Sequence, residues 1–179
     1  MSPESLITLY HSTDRMGLEA AKGTGRVYGI EKLHKYRPGY SGGSNLTPDR
    51  AASIAFIKAY RTDGQWRYID GPPELFLLTF VIPNRLVKAI GKIPLGNKPM
   101  FTNGAEEWAT TLTVEVDMLP DQYLQNLHAG MHQMTRDQAR EKWSRGDIRF
   151  YEMPMDFLTT VEPVEYEYKG VKYPLNSPA

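Results

Sequence analysis

The first pattern in the chain is an apolar, β-rich run at residues 6–10, which ends abruptly in the polar group His11, Ser12, Thr13 and Asp14. Apolar and β-branched residues in a short run are typical of a buried strand. We therefore predict a first strand with His11 at its end. A short helix at residues 18–22 follows, and the stretch from there to residue 40 shows no clear period, which predicts irregular structure.

The best helix start in the chain lies at Thr47. Thr47 suits an N-cap, Pro48 the first helical position, and Asp49 the positive end of the helix dipole. Ser53 and Phe56 then recur with other apolar residues at helical spacing on one face. We predict a helix that runs to about residue 60.

Strands dominate the middle of the chain. Residues 74–83 are almost continuously apolar between prolines, which is typical of a central strand. After a loop at 91–104 rich in glycine and proline, the β-branched run 106–114 predicts another strand with Glu107 near its start.

The last third mixes helical and β-like patterns. We predict a helical region at 121–134, then a helix with the capping-box pair Thr135 and Gln138, then β-like runs from 148 to 173. Lys169 and Gly170 are placed to turn a terminal hairpin.

Composition narrows the function classes. The 179 residues suit one domain, and 21 basic against 21 acidic residues give no overall charge for broad binding to nucleic acid or anionic membranes. With no cysteine, disulfide scaffolds, thiolate zinc sites and thiol nucleophiles are excluded. The N-terminal residues fit neither a Sec-type signal peptide nor a membrane span, so we expect a cytoplasmic protein, or one delivered to a target cell by another route, with no membrane partner.

Three polar groups occur in a fixed order at the ends of predicted elements: His11-Ser12-Thr13, then Asn45 to Phe56 by way of Thr47, Asp49 and Ser53, and then Glu107-Trp108. In this order the chain resembles the His-Tyr-Glu branch of the ADP-ribosyltransferase family, which includes diphtheria-type toxins and poly-ADP-ribose polymerases. The resemblance covers residues 6 to about 114.

The resemblance implies a single α+β domain over residues 1–179 that takes NAD as substrate. Its core, at about 5–115, would be a split antiparallel β-sheet with helices. Residues 116–179 would add a helix and hairpin elaboration on the acceptor side.

For Glu107 the resemblance implies the catalytic role. Loss of nicotinamide leaves an oxocarbenium-like ribose, and a positioned carboxylate stabilises that charge. Glu107 would accept a hydrogen bond from a hydroxyl of the nicotinamide ribose. Glu106 lies beside it, and because neighbouring side chains in a strand point to opposite faces, only one of the two faces the ligand. The sequence leaves open which one.

The remaining implied contacts hold NAD. His11 would hydrogen-bond the adenine-side ribose as a neutral imidazole, the Ser12 backbone would meet the carboxamide, and Thr13 completes the strand-end motif. Ser53 would also hydrogen-bond the carboxamide, and Phe56 would stack on the nicotinamide ring. Each of these residues also has an ordinary packing interpretation as part of a strand end or a helix face.

One position departs from the family pattern. Asn45 stands where the family has an aromatic residue against the other face of the nicotinamide, and Tyr40 is the nearby candidate to replace it. No metal is expected, because His128 and His132 stand four apart without a third ligand and Gly130 weakens a helix there.

Several functions remain open. The leading hypothesis is transfer of ADP-ribose to a macromolecular acceptor, a protein, by a small toxin or effector that an immunity protein would accompany. The alternatives are an NAD glycohydrolase and a catalytically inactive module that binds NAD or a partner. Ala105, two residues before Glu107, argues weakly against arginine as the acceptor. An RNA phosphotransferase needs a basic cluster that the sequence does not offer near His11 or Ser53.

Overall fold

The computed structural model describes residues 4–32, 46–62, 72–92, 105–125 and 134–175. Within these ranges the protein is an α+β structure of antiparallel sheets and four helices. The strands are β1 (Leu6–Asp14), β2 (Arg26–Lys32), β3 (Leu75–Pro83), β4 (Val87–Lys92), β5 (Glu106–Thr110), β6 (Thr113–Val114), β7 (Ile148–Pro154), β8 (Leu158–Pro163), β9 (Tyr166–Tyr168) and β10 (Val171–Tyr173). The helices are α1 (Arg15–Thr24), α2 (Arg50–Thr62), α3 (Asp121–Gln125) and α4 (Arg136–Ser144).

The first sheet is continuous through a two-residue segment just before α2. Its named strands lie in the orders β8-β3-β1 and β5-β4, all antiparallel. Leu46 and Thr47 join the two groups: the Tyr10 N–H donates to the Thr47 carbonyl at 2.8 Å, and the Trp108 N–H donates to the Leu46 carbonyl at 2.8 Å. The spatial order is therefore β8, β3, β1, the segment Leu46–Thr47, β5 and β4.

A second sheet has the order β2-β7-β6, and β9 and β10 form a separate hairpin. The C-terminal strands β7 and β8 pair with β2 and β3 from the first half of the chain. The last third of the chain is thus built into both main sheets rather than added beside them.

The two faces of the first sheet pack against different layers. On one face, apolar side chains of β1 and β3 form a core with α1 and with Val27 and Met153 of the second sheet. On the other face, Leu75 and Leu77 pack with α2 and with the tyrosines of the β9–β10 hairpin. We call this second side the α2 face. Burial of these apolar stripes stabilises the layered arrangement.

The predicted helix after Thr47 is present, but its cap is Asp49, two residues later than predicted. α2 begins at Arg50, and the Asp49 carboxylate accepts a hydrogen bond from the Ala52 N–H at 3.0 Å. The Thr47 hydroxyl instead accepts from the Asp49 N–H at 3.2 Å. The N-cap prediction for Thr47 was wrong because Thr47 is held in the sheet by its pairing with Tyr10.

Elsewhere local helix and turn chemistry is confirmed. α1 is longer than predicted because Asp14 caps it by accepting from the Gly17 N–H at 2.7 Å, and Gly25 ends it in the left-handed region. The capping box of Thr135 and Gln138 is present at α4. Lys169 and Gly170, both with positive φ, turn the terminal hairpin as predicted.

Three predictions about strands need correction. β1 continues three residues past His11, since β3 pairs with it as far as Asp14. The stretch predicted to be irregular contains β2, which β7 pairs along its whole length. The predicted strand 106–114 is divided into β5 and β6, because the chain bends at Thr111 and crosses to the second sheet. Residues 126–133 of the predicted helical region lie outside the described residues.

Candidate functional site

The candidate site is built on one row of residues that runs across the first sheet. Tyr10 pairs with Thr47. Because the antiparallel pairing of Leu46 with Trp108 puts the next residue of one strand opposite the previous residue of the other, Thr47 stands across from Glu107. Paired residues share a face, so Tyr10, Thr47 and Glu107 all project to the α2 face.

Glu107 is an acidic residue on this face, as is Glu162 of β8, which pairs with Leu77 and forms an ion pair with Arg50 of α2 at 2.9 Å. The exposed fraction of Glu107 is 2 %, whereas Glu106 is half-buried and, by strand alternation, points to the opposite side of β5. A carboxylate is rarely buried to this extent in an ordinary strand. The sequence left open whether Glu106 or Glu107 faces the ligand, and Glu107 is the one that shares a face with α2.

Ser53 of α2 is hydrogen-bonded to β1 at Ser12, two residues after Tyr10 of this row. The Ser12 hydroxyl donates a buried hydrogen bond of 2.9 Å to the Ser53 carbonyl, which joins the strand to the helix. Both side chains are almost fully buried, with exposed fractions of 4 % for Ser12 and 3 % for Ser53. Ser12 of the predicted strand-end motif and Ser53 of the predicted helix are therefore in contact.

The Ser53 hydroxyl has no hydrogen-bond partner among the described residues, although it is buried. Leaving a buried hydroxyl unpaired costs about 1–3 kcal/mol, so native proteins rarely keep one without a use. An orphaned hydroxyl is the feature expected where a ligand supplies the missing donor or acceptor.

Phe56 follows three residues later on α2 and is half-buried. Three residues along a helix bring a side chain back to nearly the same face, so Phe56 lies on the Ser53 side of the helix. Ile57 and Ile54 make the core contacts of α2 with β3 and the hairpin.

His11 and Thr13 lie on the other side of the first sheet. They alternate with Tyr10 and Ser12, and they pair with Leu78 and Phe76, which belong to the opposite core. His11 is half-buried, and Thr13 packs so closely on α1 that a Cβ at Gly17 would stand 1.9 Å from the Thr13 hydroxyl. The register thus brings Ser12, Ser53 and Glu107 to one face and leaves His11 and Thr13 on the other.

Two predicted ligand contacts, Tyr40 and Asn45, lie outside the described residues, as do His128 and His132. Among the residues that the structure describes, no group of three or more His, Cys, Asp or Glu side chains is placed to hold a metal ion. In the same ranges no helix has the length and apolar character needed to cross a membrane.

A polar cluster that no sequence motif indicated links the two sheets. The Tyr151 hydroxyl donates to the Glu31 carboxylate, and the Lys88 ammonium lies 3.9 Å from that carboxylate and 5.2 Å from the Tyr151 ring centre. Burial, and then the bond to Glu31, raise the pKa of Tyr151. Lys88 pairs with Ala109, two residues from Glu107, so it belongs to the same side of β5. Residues so distant in sequence, on three strands, carry no local signal that they would meet.

Comparison of the chain with models of protein families, with curated proteins and with solved structures found no match.

Proposed function

We propose that this protein is an ADP-ribosyltransferase of the His-Tyr-Glu kind, which binds NAD on the α2 face and transfers ADP-ribose to a macromolecular acceptor. The observation that carries the proposal is the orphaned hydroxyl of Ser53, on the side of the sheet from which the Glu107 carboxylate projects. The resemblance in sequence assigns a ligand contact to each of these two residues independently of the coordinates.

Glu107 supplies the charge that the reaction requires. As the bond between the ribose C1′ and the nicotinamide nitrogen breaks, its electron pair leaves with nicotinamide and positive charge develops on the ribose. The carboxylate accepts a hydrogen bond from a ribose hydroxyl, and this bond strengthens as the charge grows. Burial keeps the effective dielectric low, which increases the stabilisation.

Ser53 and Phe56 hold the leaving group. The Ser53 hydroxyl pairs with the nicotinamide carboxamide, which removes the cost of the unpaired group, and the Phe56 ring packs on the flat cationic ring. Ser12 fixes α2 against β1 and therefore sets the distance between this half of the site and Glu107. The acceptor nucleophile then bonds to C1′ and releases its proton to solvent.

Glu107, Thr47, Ser12 and Ser53 are almost completely covered in the structure. A dinucleotide can reach them only if part of the covering chain moves, as occurs in many enzymes that exclude water from the reaction. The predicted contact of His11 with the adenine-side ribose stays a prediction, since its strand alternation turns it away from Glu107.

The test is release of nicotinamide from NAD by the purified protein, with and without a cell lysate as the source of acceptor. Release that depends on lysate, together with label transferred from adenylate-labelled NAD to protein, supports the transferase. Equal release without lysate indicates a glycohydrolase. Absence of release in both mixtures overturns the proposal and leaves a binding module.

A further inference from the structure

The β9–β10 hairpin is joined to the rest of the described structure by side-chain packing and a few hydrogen bonds. β9 and β10 pair with each other and, among the described strands, with no other. A two-stranded hairpin is marginally stable by itself in water. The position of this hairpin over the α2 face therefore depends on the contacts that its side chains make there.

The apolar face of the hairpin is buried at the base and exposed at the tip. Tyr166 pairs with Tyr173, and the centres of the two rings lie 5.5 Å apart. Tyr168 pairs with Val171 on the same face, because Tyr168 lies two residues after Tyr166. The exposed fraction on this face rises from 6 % at Tyr166 to 43 % at Val171. The tip of the hairpin thus extends beyond the core that its base covers.

The base of the hairpin is bonded to the segment that leads into β3. The Val164 N–H donates to the Leu75 carbonyl at 2.8 Å, and the Tyr166 hydroxyl donates to the Pro73 carbonyl. Val164 and Tyr166 are buried, whereas Glu165 between them is exposed. The hydroxyl bond of Tyr166 lies beyond Val164 along the chain, so its loss would weaken the attachment of the hairpin and leave Val164 in place.

The hairpin packs on the same core as the part of α2 that follows Ser53. Tyr166 belongs to the core that contains Leu75 and Ile57, and the half-buried Ile54 of α2 packs against this core. Ile54 is the residue after Ser53, whose buried hydroxyl has no partner among the described residues. Raising the hairpin from its base would therefore uncover this core beside the helix segment that carries Ser53.

We propose that the β9–β10 hairpin is a hinged cover, which rotates about Val164–Glu165 and admits the ligand to the α2 face. In the closed state the Tyr166 hydroxyl is bonded to the Pro73 carbonyl. Opening breaks that bond and exposes the Leu75 side chain, while β3 and α2 keep their own hydrogen bonds. The admission of ligand rests on the proposed function, whereas the opening itself does not depend on it.

The chain has no cysteine, so a single introduced thiol can report on the opening. Leu75→Cys places the thiol under the hairpin, and Leu78→Cys places it on the same strand but in the opposite core. The two leucines have exposed fractions of 2 % and 0 %. Labelling by a water-soluble thiol reagent is followed at increasing urea concentrations. Global unfolding exposes both thiols and depends steeply on urea, whereas a local opening depends on it weakly.

Leu75→Cys is expected to react at least about tenfold faster than Leu78→Cys, with a weak dependence on urea. Adding Tyr166→Phe removes one hydrogen bond of the closed state and should raise the labelling rate of Leu75→Cys about three- to tenfold. Tyr151→Phe, which removes the hydroxyl bond to Glu31 in the second sheet, is the matched control and should leave that rate within about twofold. Equal labelling of both thiols, or a Leu75→Cys rate that Tyr166→Phe does not change, overturns the hinged cover.

The admission of ligand is measured separately, as the association rate of NAD in a Glu107→Gln background that prevents turnover. Tyr166→Phe should raise this rate about three- to tenfold, because a larger fraction of the molecules is open, and Tyr151→Phe should not. An unchanged association rate overturns the admission role while the proposed function stands. If no variant binds NAD and the wild type releases no nicotinamide, the proposed function and the admission role fail together, and the labelling rates alone decide whether the hairpin opens.

Discussion

Two buried serines that face each other across β1 and α2 should respond to the same substitution with opposite signs. The Ser12 hydroxyl is bonded to the Ser53 carbonyl, whereas the Ser53 hydroxyl has no partner among the described residues. Replacing each with alanine removes one oxygen atom from a nearly solvent-free position. The change in the free energy of unfolding therefore shows whether that oxygen has a hydrogen-bond partner in the folded state.

For Ser53→Ala, loss of an unpaired buried hydroxyl gains about 1–3 kcal/mol, and the higher helix propensity of alanine adds a few tenths. A small loss of packing offsets part of this, so we expect a net gain of about 1–2 kcal/mol. In a chain of this size that raises Tm by about 2–8 °C. For Ser12→Ala, loss of one hydrogen bond should cost about 0.5–1.5 kcal/mol and lower Tm by about 1–6 °C.

The assay is thermal and urea unfolding of both variants, repeated with NAD present. If Ser53 meets the carboxamide, Ser53→Ala should be the more stable protein without ligand and should gain less Tm from NAD than the wild type. Destabilisation by Ser53→Ala in the absence of ligand would contradict this prediction, because it would mean that the Ser53 hydroxyl is already hydrogen-bonded within the fold.

Two further substitutions test the packing and the electrostatics of the fold. Gly17→Ala should destabilise the protein by about 1–3 kcal/mol, because its Cβ would lie 1.9 Å from the Thr13 hydroxyl. Thr13→Ala in the same chain should recover part of the lost stability. An unchanged Tm for Gly17→Ala would contradict the close contact. Burial raises the pKa of Tyr166 to about 12, so the folded state holds the phenol proton more tightly than the unfolded state does. The resulting contribution to stability is present below about pH 10 and is lost as the pH rises from 10 towards 12. Tyr166→Phe should flatten that alkaline loss in urea titrations at pH 9 to 12, and an unchanged slope would show that the group does not differ between the two states.

Local chemistry explains what the sequence alone could predict. The caps of α4, the terminal turn and the apolar strand β3 depend on residues close in the chain, and the structure confirms them. The start of the strand carrying Glu107 was also predicted correctly, because an aromatic residue and then the β-branched Thr110 follow within three positions.

Long-range pairing explains what the sequence could not predict. Leu46 and Thr47 are too few to give a strand pattern, yet they join the two halves of the first sheet. The same pairing, and not the local composition, decides that Glu107 rather than Glu106 faces α2 and that His11 faces away. β2 contains glycine and charged residues, and it becomes a strand only because β7 lies beside it.

The catalytic role of Glu107 is tested by comparing wild type, Glu107→Gln and Glu106→Gln for both nicotinamide release and NAD affinity. Glu107→Gln should lower kcat by about 10²–10³-fold with NAD affinity nearly unchanged, because the carboxylate acts mainly on the transition state. Glu106→Gln should behave like the wild type. A Glu107→Gln protein with wild-type kcat, or a Glu106→Gln protein that alone loses activity, would contradict the catalytic role of Glu107.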